Sequence, residues 1–97
     1  MSTLFGSKIK EVRKEQSILQ RQLAVLLDID TPMFSKIERG ERRAKREQVV
    51  KLADFLEQDK LELLTLWLAD KVIEAVNNED AINLAAIKVA RIHLQNE

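Results

Sequence analysis

The chain has 97 residues, with 16 Lys and Arg against 16 Asp and Glu, and 45% of its residues are hydrophobic. It contains no cysteine, which excludes disulfides and thiolate metal sites and fits a cytoplasmic protein. No apolar run reaches the roughly 18–20 residues that span a bilayer, and the N-terminus lacks a signal-like stretch, so neither secretion nor a membrane partner is expected.

In chain order, Ser2 or Thr3 can cap a first helix expected over about Leu4 to Gln16. Phe5, Ile9 and Val12 recur at helical spacing, and Arg13 lies at the edge of that face. Ser17-Ile18 is a turn. A second helix starts at Gln20, but Leu19 before it has no oxygen to cap it, a local cost of about 1 kcal/mol. Leu23, Ala24, Leu26 and Leu27 form its apolar face, with small Ala24 where a neighbouring helix must come close. Asp28-Ile29-Asp30 is the next turn. Asp28 tolerates a left-handed backbone, and Asp30 is a good cap for a third helix over about Thr31 to Arg39. Pro32 fits that helix's first turn, where N–H groups lack intrahelical partners. Phe34 and Ile37 point inward, and Thr31, Pro32, Ser35 and Lys36 lie on the other face. Gly40 stands at the C-cap. Arg39 to Arg46 reads RGERRAKR. Ala44 and Lys45 blur the start of a fourth helix, whose Val49, Val50, Leu52, Ala53 and Leu56 close a small core, with Phe55 at its edge.

The zero net charge hides an asymmetry. Residues 1–58 carry 12 Lys/Arg and 9 Asp/Glu, a net +3, and residues 59–97 carry 4 and 7, a net −3. Residues 35–46 alone hold 6 basic and 2 acidic residues. Positive charge is thus gathered beside the third helix, as nucleic-acid binding requires.

The stretch from Gln20 to Gly40, two short helices across a tight turn, resembles the Xre/Cro family of helix-turn-helix regulators. Ile9, Val12 and Arg13 are similar to its first-helix residues, and Gln20, Leu23 and Ala24 to its second. Ser35 to Gly40 resembles its SxIExG close, and the likeness covers roughly residues 5–57. It implies an all-α, lambda-repressor-like or Cro-like domain of about five helices, the last one extended, plus a C-terminal helix. It also implies that the third helix enters the major groove. Thr31, Pro32, Ser35 and Lys36 would then face DNA. Gln20, Arg39, Arg42, Arg43 and Arg46 would meet phosphate, and Arg13 would pair with Glu38 as a structural clamp. The base-reading face carries no Arg or Asn, so specificity would rest partly on DNA shape. Ser17 and Asp28 depart from the family's usual glycines, as Leu19 does from its cap residue.

Residues 57–60 form a polar link. Asp59 can cap a strongly apolar helix over about Lys60 to Val76. Leu61, Leu64, Leu68, Val72 and Ala75 form one stripe, expected to face the N-terminal core. Leu63, Leu66, Trp67 and Ile73 fall outside it. After a break at Asn77-Asn78-Glu79, a last helix over Asp80 to Leu94 leaves Leu84 and Ile87 outside the stripe of Ile82, Ala85, Ala86 and Val89. The expected division is a DNA-binding domain over 4–58 and a helical extension over 59–97. In that extension Leu63, Leu66, Trp67, Ile73, Leu84 and Ile87 would make a homodimer.

No motif supports catalysis, a cofactor or a metal site. There is no HExxH pair or phosphate-cradling glycine loop, and His93 has no ligand partner at metal-binding spacing. The expected function is a homodimeric regulator that binds double-stranded DNA at an inverted repeat. The resemblance extends to the controller proteins of restriction-modification systems; a phage repressor fits the residues equally. The alternative is an antitoxin whose C-terminal helices bind another protein.

Overall fold

The computed structural model describes residues 2–76 and 80–96, with the backbone alone for Asp80 and Ala81; the expected break at Asn77–Glu79 lies outside them. The protein is all-α. Among the described residues there are six helices and no strand: α1 Leu4–Glu15, α2 Gln20–Leu26, α3 Thr31–Glu38, α4 Arg46–Phe55, α5 Lys60–Ala75 and α6 Asp80–Gln95.

Local chemistry fixes the helix starts. Thr3 caps α1 by accepting from Gly6 N at 3.0 Å. The N–H groups of Leu4 and Phe5 donate to the two carboxylate oxygens of Asp70, at 2.8 and 3.0 Å. A carboxylate from α5 therefore sits on the positive end of α1 and ties the two helices together. Leu19 and Lys45 have no capping oxygen, but Gln22 and Gln48, three residues on, accept from their backbone N–H groups at 2.7 and 2.9 Å. Half of a capping box thus replaces the missing caps of α2 and α4.

The first four helix ends share one device. The residue after the C-cap turns left-handed, and the next N–H reaches back five residues to a carbonyl. Ile18 N to Arg13 O, Ile29 N to Ala24 O, Glu41 N to Lys36 O and Gln58 N to Ala53 O close these ends at 2.8–3.0 Å. Only one of the four left-handed residues is glycine: Gly40 at φ +79, against Ser17, Asp28 and Glu57 at φ 56–57. Each non-glycine pays about 1 kcal/mol of steric strain there. Glu57→Gly is therefore expected to raise the melting temperature by about 2–6 °C, followed by circular dichroism. A fall would mean that the Glu57 side chain stabilises this turn.

The core is one cluster. Phe5, Ile9 and Val12 of α1 meet Leu23, Ala24 and Leu27 from α2 and its cap, Phe34 and Ile37 of α3, and Val49, Leu52, Ala53 and Leu56 from α4 and its cap. Ala44 and Leu63 complete it. Val50 is half-buried and Phe55 is exposed, so neither belongs to the closed core.

The expected register of α5 is corrected. Leu63 is fully buried, and Leu64, Leu66 and Trp67 pack half-buried beside it, whereas Leu61, Leu68 and Val72 are exposed. Leu63 thus belongs to its own chain's core and is not an association residue, and Trp67 and Leu66 spend much of their surface on the same core. Both stripes of α5 are apolar, so hydrophobic spacing does not choose between them. Polar partners do. With Leu63 inward, the Trp67 indole N–H reaches Ala44 O at 2.7 Å and Asp70 reaches the start of α1. The opposite face offers neither bond.

The C-terminal part is not closed in the same way. Ile73, Ile82, Leu84, Ile87, Val89, Ile92 and Leu94 are all exposed. The accessible surface is 7080 Å², against about 5,700 Å² for a compact monomer of this mass. The radius of gyration is 15.2 Å, against about 12.5 Å.

Candidate nucleic-acid interface

The α2–turn–α3 unit is built by its turn. Asp28 turns left-handed after α2, and Asp30 Oδ1 accepts from Met33 N at 2.8 Å to start α3. Ala24, 2% exposed, lets the two helices meet closely. Phe34 and Ile37 anchor the inner face of α3. Thr31, Pro32 and Lys36 are exposed on its outer face, with Ser35 half-buried beside them.

A buried ion pair fixes the far end of α3. Glu38 is 3% exposed. Its two carboxylate oxygens accept from Arg13 Nε at 2.8 Å and from an Arg13 terminal nitrogen at 2.9 Å, a bidentate geometry. The other terminal nitrogen of Arg13 donates to Ile18 O at 3.0 Å, and Gln20 Nε2 donates to Glu38 Oε1 at 3.0 Å. The pair thus joins α1, the α1–α2 turn, α2 and α3 in one network. The hydrogen bond to Glu38 outweighs burial and raises the Arg13 pKa. Gly6 makes room for this end. A Cβ there would collide with the Glu38 carbonyl oxygen and crowd the Thr3 hydroxyl at 2.9 Å. A Cβ on Gly40, which is left-handed, would likewise collide with Thr3.

The candidate phosphate contacts divide into two groups. Arg39 is held locally: it donates to Glu41 at 2.5 Å and to the Ser35 hydroxyl at 2.6 Å. The hydrogen bond and charge of Arg39 keep the Glu41 carboxyl below its ordinary range, so this pair persists at neutral pH and is lost only as pH falls through that lowered value. Arg43 stacks on Trp67, 4.3 Å from the ring centroid, and donates to Trp67 O at 2.9 Å. Gln20 has one N–H committed to Glu38. The side chains of Lys36, Arg42 and Arg46 are exposed and make no hydrogen bond or ion pair among the described residues. Both acidic residues of the 35–46 segment are paired with arginines, which leaves the outward charge strongly positive.

A model of the helix-turn-helix family matches residues 9–63, more than half of the chain. The chain belongs to the helix-turn-helix family. No curated protein and no solved structure gives a significant match. The matched segment ends at Leu63, the residue of α5 that closes the core. The family's domains are typically non-catalytic regulators, and the architecture is consistent with a DNA-binding regulatory protein. Among the described residues no cluster of His, Cys, Asp or Glu is placed to hold a metal ion, and no helix is long and apolar enough to cross a membrane.

Asp70, Gly6, Gln22 and Gln48 position this interface, and sequence reading missed all four. Gln three residues after Leu19 and Lys45 was a usable signal for the caps. Nothing local marked Asp70 or Gly6, because their partners lie 65 and 32 residues away in the chain.

Proposed function

We propose that the chain is a homodimeric, sequence-specific regulator of transcription of the Xre/Cro type that binds double-stranded DNA. Each subunit lays α3 in a major groove, with Thr31, Pro32, Ser35 and Lys36 toward base edges. Arg42 and Arg46 meet phosphate directly, and Gln20, Arg39 and Arg43 line the same backbone path. The observation that carries the reading is the exposed Thr31–Lys36 face, held from behind by the Arg13–Glu38 pair and flanked by exposed Arg42 and Arg46. Residues 4–58 supply the DNA contacts and 59–97 the association. α5 serves both, because its inner face closes the core. The association surface comprises Ile73, Leu84 and Ile87 with the exposed remainder of α6, and Leu66 and Trp67 stand at its border. It is supported by the exposed apolar side chains of α6 and by about 1,400 Å² of surface beyond a compact monomer. Two subunits then read an inverted repeat with half-sites roughly 34 Å apart. Control of a restriction-modification operon is the setting that the family resemblance supports.

Lys36→Ala tests the base-reading claim. Affinity for a selected site is expected to fall about 5- to 100-fold, as one lost base contact implies, with a much smaller loss on random duplex. Equal weakening on both, measured by fluorescence anisotropy, would reduce Lys36 to a phosphate contact.

A further inference from the structure

We propose that Trp67 is a positioning residue for DNA binding, with Arg43 as its partner rather than as a direct phosphate ligand. This rests on the DNA-binding reading above. The segment between α3 and α4 has no regular structure, yet it carries Arg42 and leads into Arg46. Its first half is tied down by Glu41 N and Arg42 N, which both donate to Lys36 O, at 2.8 and 3.3 Å. Its end is tied by Lys45 N to Gln48. Between them, Arg43 and Ala44 are held by one residue of α5. The Arg43 guanidinium lies over the Trp67 ring at 4.3 Å and donates to Trp67 O at 2.9 Å. The indole N–H donates to Ala44 O at 2.7 Å, and the Ala44 methyl is buried beneath.

This clip makes the basic segment a shaped surface instead of a flexible run of charge. A preformed segment avoids the entropic cost of being ordered on binding. Arg43 suits the clip for reasons apart from charge. Its planar group can stack on a ring and donate sideways to a carbonyl in one geometry, which a lysine ammonium cannot. The clip also joins the DNA-facing segment to α5, the helix that leads into the association surface. Asp70, three residues after Trp67, holds the start of α1 on the same face of α5.

The test compares Arg43→Lys, Arg43→Ala, Trp67→Phe and Arg46→Ala in the full chain, on specific and random duplexes over a range of salt. Circular dichroism melts confirm folding first. Arg43→Lys keeps the charge. It is expected to lose about tenfold in affinity, close to the loss of Arg43→Ala, with the salt slope unchanged. Trp67→Phe keeps a ring but loses the bond to Ala44, and is expected to lose about three- to fivefold with no change in slope. Arg46→Ala, a true phosphate contact, should instead lower the slope by about one. The clip is overturned if Arg43→Lys binds as tightly as the unmutated chain, or if Trp67→Phe leaves affinity unaltered. Trp67 is the only tryptophan, so its emission maximum gives a second readout. Saturating duplex should leave the maximum unshifted, and a shift to that of the Arg43→Ala variant would place Arg43 on phosphate. If the unmutated chain binds no duplex, the DNA-binding reading itself fails, an outcome separate from every failure of the clip.

Discussion

Glu38→Ala is expected to lower the melting temperature of the DNA-free protein by about 12 °C or more, equivalent to a loss of about 3–5 kcal/mol. The substitution strands the guanidinium of Arg13, whose side chain is only 11% exposed, and removes the acceptor of Gln20 Nε2. The cost is that of an uncompensated buried charge, which exceeds the net worth of the intact pair. Replacing both partners with apolar residues, as in Arg13→Met with Glu38→Leu, should therefore recover much of the loss. The Arg13 pKa is raised in the folded protein. Its contribution is fully present below the ordinary arginine range and is lost only as pH rises through the still higher folded value, so Arg13 adds no pH dependence in acid or at neutrality. A melt of Glu38→Ala that overlays the unmutated curve would contradict this account of the clamp.

The second large effect is on association. Ending the chain after Val76 removes α6 and keeps Leu63, Trp67 and Asp70. The protein is expected to keep a cooperative melt and to sediment as a monomer, whereas the full chain is expected to sediment as a dimer at tens of micromolar. Ending it after Glu57 has a different result. It strips Leu63 from the core and Asp70 from the start of α1. Loss of the buried leucine alone costs about 2–5 kcal/mol, a large share of what holds a domain of this size. That shorter chain is expected to lose its cooperative transition. A full-length monomer would contradict the dimer, and would turn attention to a different protein as the occupant of α6.

The helices of the DNA-binding unit were legible in the sequence because local signals agree there. Apolar spacing, Asp30 at the cap, Pro32 in the first turn and Gly40 after the end all mark α3, and the structure gives Thr31–Glu38. Asp28 was legible as a left-handed turn residue for the same reason, and it has φ 57. α5 shows where local signals stop. With apolar residues on two faces, its register is decided by the Trp67–Ala44 and Asp70–α1 bonds, whose partners are remote in sequence. The basic run was legible as charge but not as partners. Which arginine is held by Glu41, which is stacked on Trp67 and which is left open depends on tertiary placement that composition does not encode.

Selecting bound duplexes from a random pool with the full-length protein shows whether paired α3 helices read one DNA sequence. Binding to the recovered site is then titrated with salt. A two-fold symmetric motif with half-sites about one helical turn apart is expected, with an affinity that falls steeply as salt rises. Recovery of no common sequence, or of an asymmetric one bound by a single subunit, would contradict paired reading.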